Sequence, residues 1–276
     1  MPKIPVTIIG AGSVGKALAL ALPKQKFIVE NIISRTKKSA EKIAKIVKAN
    51  PIELSLLKNI SFKGIIFITV PDDAIKNVVD ILVQSKNKFS NTIIFHTSGA
   101  LSTSILQPLK KKSASVGSFH PLQTFKKNEI QKNIFQNIWF AIEGDKKAIA
   151  VGKNIASSFK AQSFILKKEQ KTLYHIGAVF ASNYFVTLLS VVEEIGKKIG
   201  IPKEKVISIY EPIIAQTLHN VKTSSAVQSL TGPIARNDVQ TIQKHIQELS
   251  KKKNKHLLPL YSTLGLATVK IKTMIK

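Results

Sequence analysis

His120 stands directly before Pro121, and a proline holds its predecessor in extended backbone. The imidazole should therefore project from the end of a strand, where a group that titrates near neutrality can take or give a proton. Ser98-Gly99 closes an earlier apolar run and sets a hydroxyl at a tight turn. That hydroxyl suits a reactive site or the capping of the turn itself. His175, Val179 and Asn183 recur at intervals of four and so share one face of a helix, as the lining of a cleft or as a buried hydrogen-bonded pair. In the segment Leu230-Thr231-Gly232-Pro233-Ile234-Ala235-Arg236-Asn237-Asp238, Arg236 carries a fork that fits a carboxylate or phosphate. Thr231 lies near it in sequence, and Asp238 suits a helix cap. Cysteine is absent, which removes disulfides, thiolate metal sites and cysteine nucleophiles; no metal is expected.

The elements that must position these groups begin at the N-terminus. Val6-Thr7-Ile8-Ile9 reads as a buried strand, Gly10-Ala11-Gly12-Ser13-Val14-Gly15 follows it, and small apolar residues from Gly15 to Leu22 read as a helix ended by Pro23. In such a loop Gly10 permits the tight turn, Gly12 lets the backbone approach a pyrophosphate, and Gly15 lets helix and strand pack closely. Ser13 and Val14 open the helix whose N-terminus would face the phosphates. A second strand, Ile28 to Ile33, ends in Ser34-Arg35-Thr36, where an acidic residue would bind a ribose 2′-hydroxyl. Glu30 has roughly the right spacing for that task but falls in mid-strand. Arg35 with the hydroxyls of Ser34 and Thr36 suits a 2′-phosphate, so the expected cofactor is NADP. Arg35 and Arg236 are the two arginines among 42 basic residues.

Further buried-strand patterns run over Gly64–Val70, Thr92–His96, Val116–Phe119, Ile138–Ile142 and Ser163–Leu166. Strands alternating with helices predict an α/β fold with a doubly wound parallel Rossmann sheet. Val70 and Pro71, at a strand end, would wall the nicotinamide half of the cofactor, with an Asp capping the next helix. From Lys167 the pattern turns to helices near 169–198, 203–221, 238–250 and 254–274. The expected organisation is an NADP-binding domain over residues 1–166 and a helical substrate and dimerisation domain over 167–276, with a ligand cleft at their junction.

The formal net charge is +26, but the excess is spread along the chain. Runs such as Lys110-Lys111-Lys112 and Lys251-Lys252-Lys253 lack the interleaved aromatics of a stacking surface, so no specific nucleic-acid partner is expected. The apolar segment Ile176–Val192 is short for a membrane span and reads as a buried helix, so no membrane is expected. The N-terminal apolar run is the strand that carries the glycine loop, which leaves a cytoplasmic location as the default.

Jointly, the glycine loop with Ser34-Arg35, Val70-Pro71-Asp72, His96-Thr97-Ser98-Gly99-Ala100, Phe119-His120-Pro121-Leu122-Gln123-Thr124-Phe125, Tyr174-His175 with Ala181-Ser182-Asn183-Tyr184, and Leu230–Arg236 carry a resemblance. The chain resembles a bacterial family that joins a Rossmann NADP-type domain to a C-terminal helical domain of unknown function. That family is similar in layout to the 6-phosphogluconate, pyrroline-5-carboxylate reductase and prephenate dehydrogenase superfamily. The resemblance implies His120 as catalytic base or acid, Ser98 as its orienting partner, His175 as a cleft residue and a homodimer formed through the helical part. Prephenate dehydrogenases carry a lysine where this chain has Ala100 and a second histidine where it has Asn183, which puts prephenate itself in doubt. The hydroxyacid dehydrogenase branch uses a lysine on the long helix, and none is expected to face the cleft here. The expected activity is NADP(H)-dependent hydride transfer to or from a small anionic hydroxy- or imino-type substrate. His120 would handle the proton, Ser98 and Asn183 would position the reacting group, and Arg236 would hold the anion. The alternative is a non-catalytic NADP-binding sensor or scaffold.

Overall fold

The computed structural model describes residues 2–126 and 133–274. Its strands are β1 (Ile4–Ile9), β2 (Phe27–Ser34), β3 (Asn50–Glu53), β4 (Gly64–Ile68), β5 (Thr92–His96), β6 (Ser115–Pro121), β7 (Trp139–Gly144) and β8 (Gln162–Ile165). They form one sheet in the order β3-β2-β1-β4-β5-β6-β7-β8. The short strand β3 is missing from the sequence expectation because Asn50-Pro51-Ile52-Glu53 carries no apolar run. Pairing is parallel except between β6 and β7. That reversal qualifies the all-parallel expectation. His120 pairs with Ala141 across it.

Helices α1 (Ser13–Ala21), α2 (Lys37–Val47), α3 (Asp72–Gln84), α4 (Gln107–Lys110) and α5 (Lys146–Ser158) connect the strands. Successive strand residues point to opposite faces, which divides the core in two. Val6, Ile8, Phe67, Phe95, Phe119 and Phe140 fill one face. Ile9, Ile33, Ile66, Ile68, Ile94 and Val116 fill the other. Burial on both faces explains why these strands read as continuous apolar runs.

Beyond β8 lie α6 (Lys171–Val179), α7 (Phe185–Lys198), α8 (Lys203–Thr223), α9 (Val239–Ser250) and α10 (Leu258–Thr273), close to the expected helices. Asp238 caps α9 by accepting from the Thr241 amide at 3.0 Å. A π-helical turn, Phe180–Tyr184, joins α6 to α7. The chain divides into two compact units, Met1–Ser182 and Asn183–Lys276.

The segment Ile176–Val192, expected to be a buried helix, is largely exposed among the described residues: Phe180 and Val186 are 64% and 62% exposed. The helical stretch Lys168–Lys198 is 31 residues long and, among the described residues, is apolar and long enough to cross a membrane by length and composition.

Candidate active site

In a doubly wound sheet, ligands bind at the carboxyl ends of the strands where the strand order reverses. Here that point lies between β1 and β4. Gly10, after β1, has φ +120°, and a Cβ there would lie 2.6 to 2.7 Å from Thr69 atoms. A Cβ on Gly15 would lie 2.1 Å from the Gly10 carbonyl oxygen. Gly12 has no neighbour within 4 Å of its Cβ position. Two glycines are thus required by packing, while the third leaves open the space where a phosphate would approach. Thr69 locks the turn, its hydroxyl donating to the carbonyls of Gly10 at 2.8 Å and Ile9 at 3.2 Å. That role was not legible in the sequence.

Around the loop, Ser13 and Val14 are half-buried at the start of α1, whose N-terminus has no side-chain cap. Such an end presents amide donors to an anion. Arg35 is exposed beyond the end of β2, Ser34 is half-buried, and Thr36 is exposed. Thr36 also caps α2, accepting from the Ser39 amide at 3.3 Å. Glu30 is exposed in mid-strand, where β2 slips register against β1. Val70 and Pro71 follow β4. The helix after them is not capped by an Asp side chain: Pro71 occupies the cap position, and Asp72 instead accepts the Ser98 hydroxyl at 2.7 Å.

Ser98 is buried at 6% exposure, and its oxygen also accepts from the amides of Ala100 at 3.1 Å and Leu101 at 2.9 Å. The hydroxyl is thus engaged in closing the turn after β5. The group bonded to His120 is Tyr174, whose Oη lies 2.7 Å from Nδ1. Their rings meet edge to face. The His120 and His175 rings converge on Gly99: a Cβ there would lie 2.8 Å from His120 Nε2 and 2.8 Å from His175 Nδ1. His175 Nδ1 is buried without a hydrogen-bond partner.

One group that the sequence pattern does not reveal lies directly behind this pair. Lys171 opens α6, is 1% exposed, and donates to the Ser118 hydroxyl. No lysine of the long helix was expected to face the cleft; Lys171 is turned inward, against β6. Ser118 and His120 alternate onto one face of β6, while Lys171, Tyr174 and His175 share one face of α6 through their i, i+3, i+4 spacing. That spacing was the available signal, hidden in a lysine-rich stretch that resembles a solvated face. Helix and strand are therefore joined by two rungs, Lys171 to Ser118 and Tyr174 to His120.

The electrostatics follow from burial. Desolvation, then the Lys171 charge and His175, lower the His120 pKa to about 3. His96, fully buried beside Ser98, is lowered to about 3 by burial and by Lys171. Burial also holds Lys171 down to about 8, against the opposing pull of Glu143 and Asp72, and pushes Tyr174 up to about 12. At neutral pH both imidazoles are uncharged, so His120 acts as a neutral donor and acceptor. The expectation that it titrates near neutrality is overturned by its burial.

Three expected site residues lie in the second unit. Asn183 is exposed within the π turn, which breaks the 3.6-residue period assumed for a face shared with His175. Thr231 and Arg236 are exposed around Gly232, which has φ +93°. Among the described residues, no cluster of three or more His, Cys, Asp or Glu could hold a metal.

Residues 1–121 match the Rossmann-like domain family, and residues 138–268 match DUF2520, a domain of unknown function. No curated protein matches the chain. Among solved structures it is similar to a candidate NADP oxidoreductase of Bacteroides fragilis, with 26% identity, 97% of this chain and 98% of that one covered, and a TM-score of 0.79. The pyrroline-5-carboxylate reductase of Streptococcus pyogenes shares the fold at 18% identity, with 99% of each chain covered and a TM-score of 0.60. An imine reductase of Myxococcus stipitatus in complex with NADP+ shares it at 16% identity, with 98% and 94% covered and a TM-score of 0.64. The chain is thus similar to a Rossmann-like domain over its first part and to DUF2520 over its second, and shares its fold with these solved structures.

Proposed function

We propose that this protein is an NADP(H)-dependent oxidoreductase that moves a hydride between nicotinamide and a small hydroxy- or imino-type substrate. The observation that carries this reading is the glycine turn at the sheet's reversal point, with Gly10 and Gly15 packed shut and Gly12 open. Exposed Arg35 supports NADP over NAD, because its guanidinium suits a 2′-phosphate. The Bacteroides fragilis protein is described as a candidate NADP oxidoreductase, and the Myxococcus stipitatus imine reductase is in complex with NADP+. A bound cofactor would supply the hydride. The chain's own part would be to hold the phosphates at Gly12 and the start of α1, and to meet the reacting oxygen or nitrogen with His120 braced by Tyr174.

We also propose a soluble cytoplasmic homodimer. Apolar side chains such as Ile199, Ile213 and Leu266 are 64–70% exposed in the second unit, more than a free helical surface ordinarily leaves uncovered. Calorimetry with NADP and NAD, followed by NADPH oxidation against a panel of keto acids, ketones and imines, tests the activity. Binding of NADP with turnover of one class supports the reading. Failure of both nucleotides to bind overturns it, and NADP binding without turnover would favour a sensor or scaffold.

A further inference from the structure

Lys171 is an unusual side chain to find at 1% exposure, since removing an ammonium from water costs several kcal/mol unless it is well compensated. Its hydrogen bond goes to a neutral hydroxyl, Ser118, and no carboxylate pairs with it among the described residues. The titratable groups around it are Glu143 on β7, Asp72 at the start of α3, His96 on β5 and His120 on β6, with His175 one turn further along α6. Of the two carboxylates, Asp72 accepts from Ser98 at 2.7 Å, and Glu143 accepts from Thr103 at 2.6 Å through Oε1 while its Oε2 is buried without a hydrogen-bond partner. After burial, the Lys171 charge acts most strongly on His120, opposing its protonation, and His175 acts in the same sense.

We propose that Lys171 is a positioning residue of the site, whose buried charge selects an uncharged carbonyl as hydride acceptor over a cationic iminium. The proposal rests on the oxidoreductase reading above. Hydride addition to a carbonyl carbon forms a new C–H bond and moves the C=O π pair to oxygen; bound NADPH would supply the hydride, losing its own C–H bond and becoming NADP+. The oxygen becomes an alkoxide and then takes a proton from water. Negative charge grows as the reaction proceeds, and a fixed cation favours it. An iminium arrives positive and becomes a neutral amine, so the same cation opposes its binding. A unit charge about 6 to 12 Å away, at the effective dielectric of a protein interior, changes such a preference by about one to two orders of magnitude. Lys171 acts through Ser118 and His120 and has no direct bond to His120.

The test uses the full chain, as wild type, Lys171→Met and Lys171→Arg, with NADPH and a matched pair of acceptors. The pair is a cyclic ketone and an N-methyl cyclic iminium of the same ring size, whose charge does not change with pH. Wild type should prefer the ketone at least tenfold at pH 7, Lys171→Met should lose that preference at least tenfold, and Lys171→Arg should retain most of it. In parallel, NMR titration of the histidines should show His120 gaining its proton at least one pH unit higher in Lys171→Met than in wild type. Faster reduction of the iminium by wild type, or a methionine variant with unchanged preference and titration, overturns the proposal. If Lys171→Met does not fold, the wild-type ketone preference should still decline between pH 7 and 9, and a flat ratio overturns the proposal. If neither acceptor is reduced, the oxidoreductase reading fails and the histidine titration alone decides whether Lys171 sets the charge of the site.

Discussion

Tyr174 Oη lies 2.7 Å from His120 Nδ1, so the imidazole beside Gly99 is oriented by a phenol 54 residues further along the chain. Because burial keeps the phenol protonated, pushing it up to about 12, and keeps His120 neutral, this is a bond between two uncharged groups. Tyr174→Phe should fold and lose about 1 kcal/mol of stability. NADPH oxidation should fall about tenfold or more with little change in NADPH affinity. Steady-state kinetics beside calorimetry check this, and unchanged turnover would detach the pair from the chemistry.

The glycine loop gives a second contrast. Gly15→Ala forces a Cβ to within 2.1 Å of the Gly10 carbonyl and should cost about 3 kcal/mol or more, seen as a large drop in melting temperature. Gly12→Ala meets nothing within 4 Å, so its stability should stay within about 1 kcal/mol of wild type. Its NADP affinity should nevertheless fall at least about tenfold, because the methyl occupies the approach of the pyrophosphate.

Arg35 is exposed at the end of β2, so its substitution should leave the fold alone. Arg35→Asp should weaken NADPH about ten- to a hundredfold relative to NADH, the worth of a charge-assisted hydrogen bond. Equal losses for both nucleotides would contradict a 2′-phosphate contact.

Acid should destabilise the protein early. Folded His96 and His120 have pKa values of about 3, against an ordinary 6.5. Below pH 6.5 the unfolded chain binds protons that the folded chain refuses. Their contribution is therefore complete above pH 6.5 and is lost progressively as the pH falls toward 3. Between pH 7 and pH 5 the loss should be about 2 kcal/mol per histidine. Guanidinium denaturation at the two pH values measures it, and His120→Gln should remove about half.

Local signals carried much of this site into the sequence. Strand, glycine turn and helix lie within 22 residues, and Pro121 fixes the backbone of His120 by a purely local clash. The bulk of the sheet was readable for a similar reason, since strands buried on both faces carry uninterrupted apolar runs. What escaped notice depends on distance or on winding. Lys171 sits among Lys167, Lys168 and Glu169, where nothing local separates an inward lysine from three outward charged neighbours. Ser98 has the capping chemistry of a turn and uses it, and its bond to Asp72 spans 26 residues. The π turn at Phe180–Tyr184 has no marker in residue type, so the spacing of His175 and Asn183 promised a register that the backbone does not keep.

The two rungs between α6 and β6 bear on how this protein can be divided. A fragment ending at Leu166 would retain every strand and the whole phosphate turn, yet its imidazole would lack the phenol and its Ser118 the ammonium. Grafting the nucleotide-binding half onto a foreign helical partner would therefore carry an obligation: the first turns of the incoming helix must supply the same lysine and tyrosine, three residues apart.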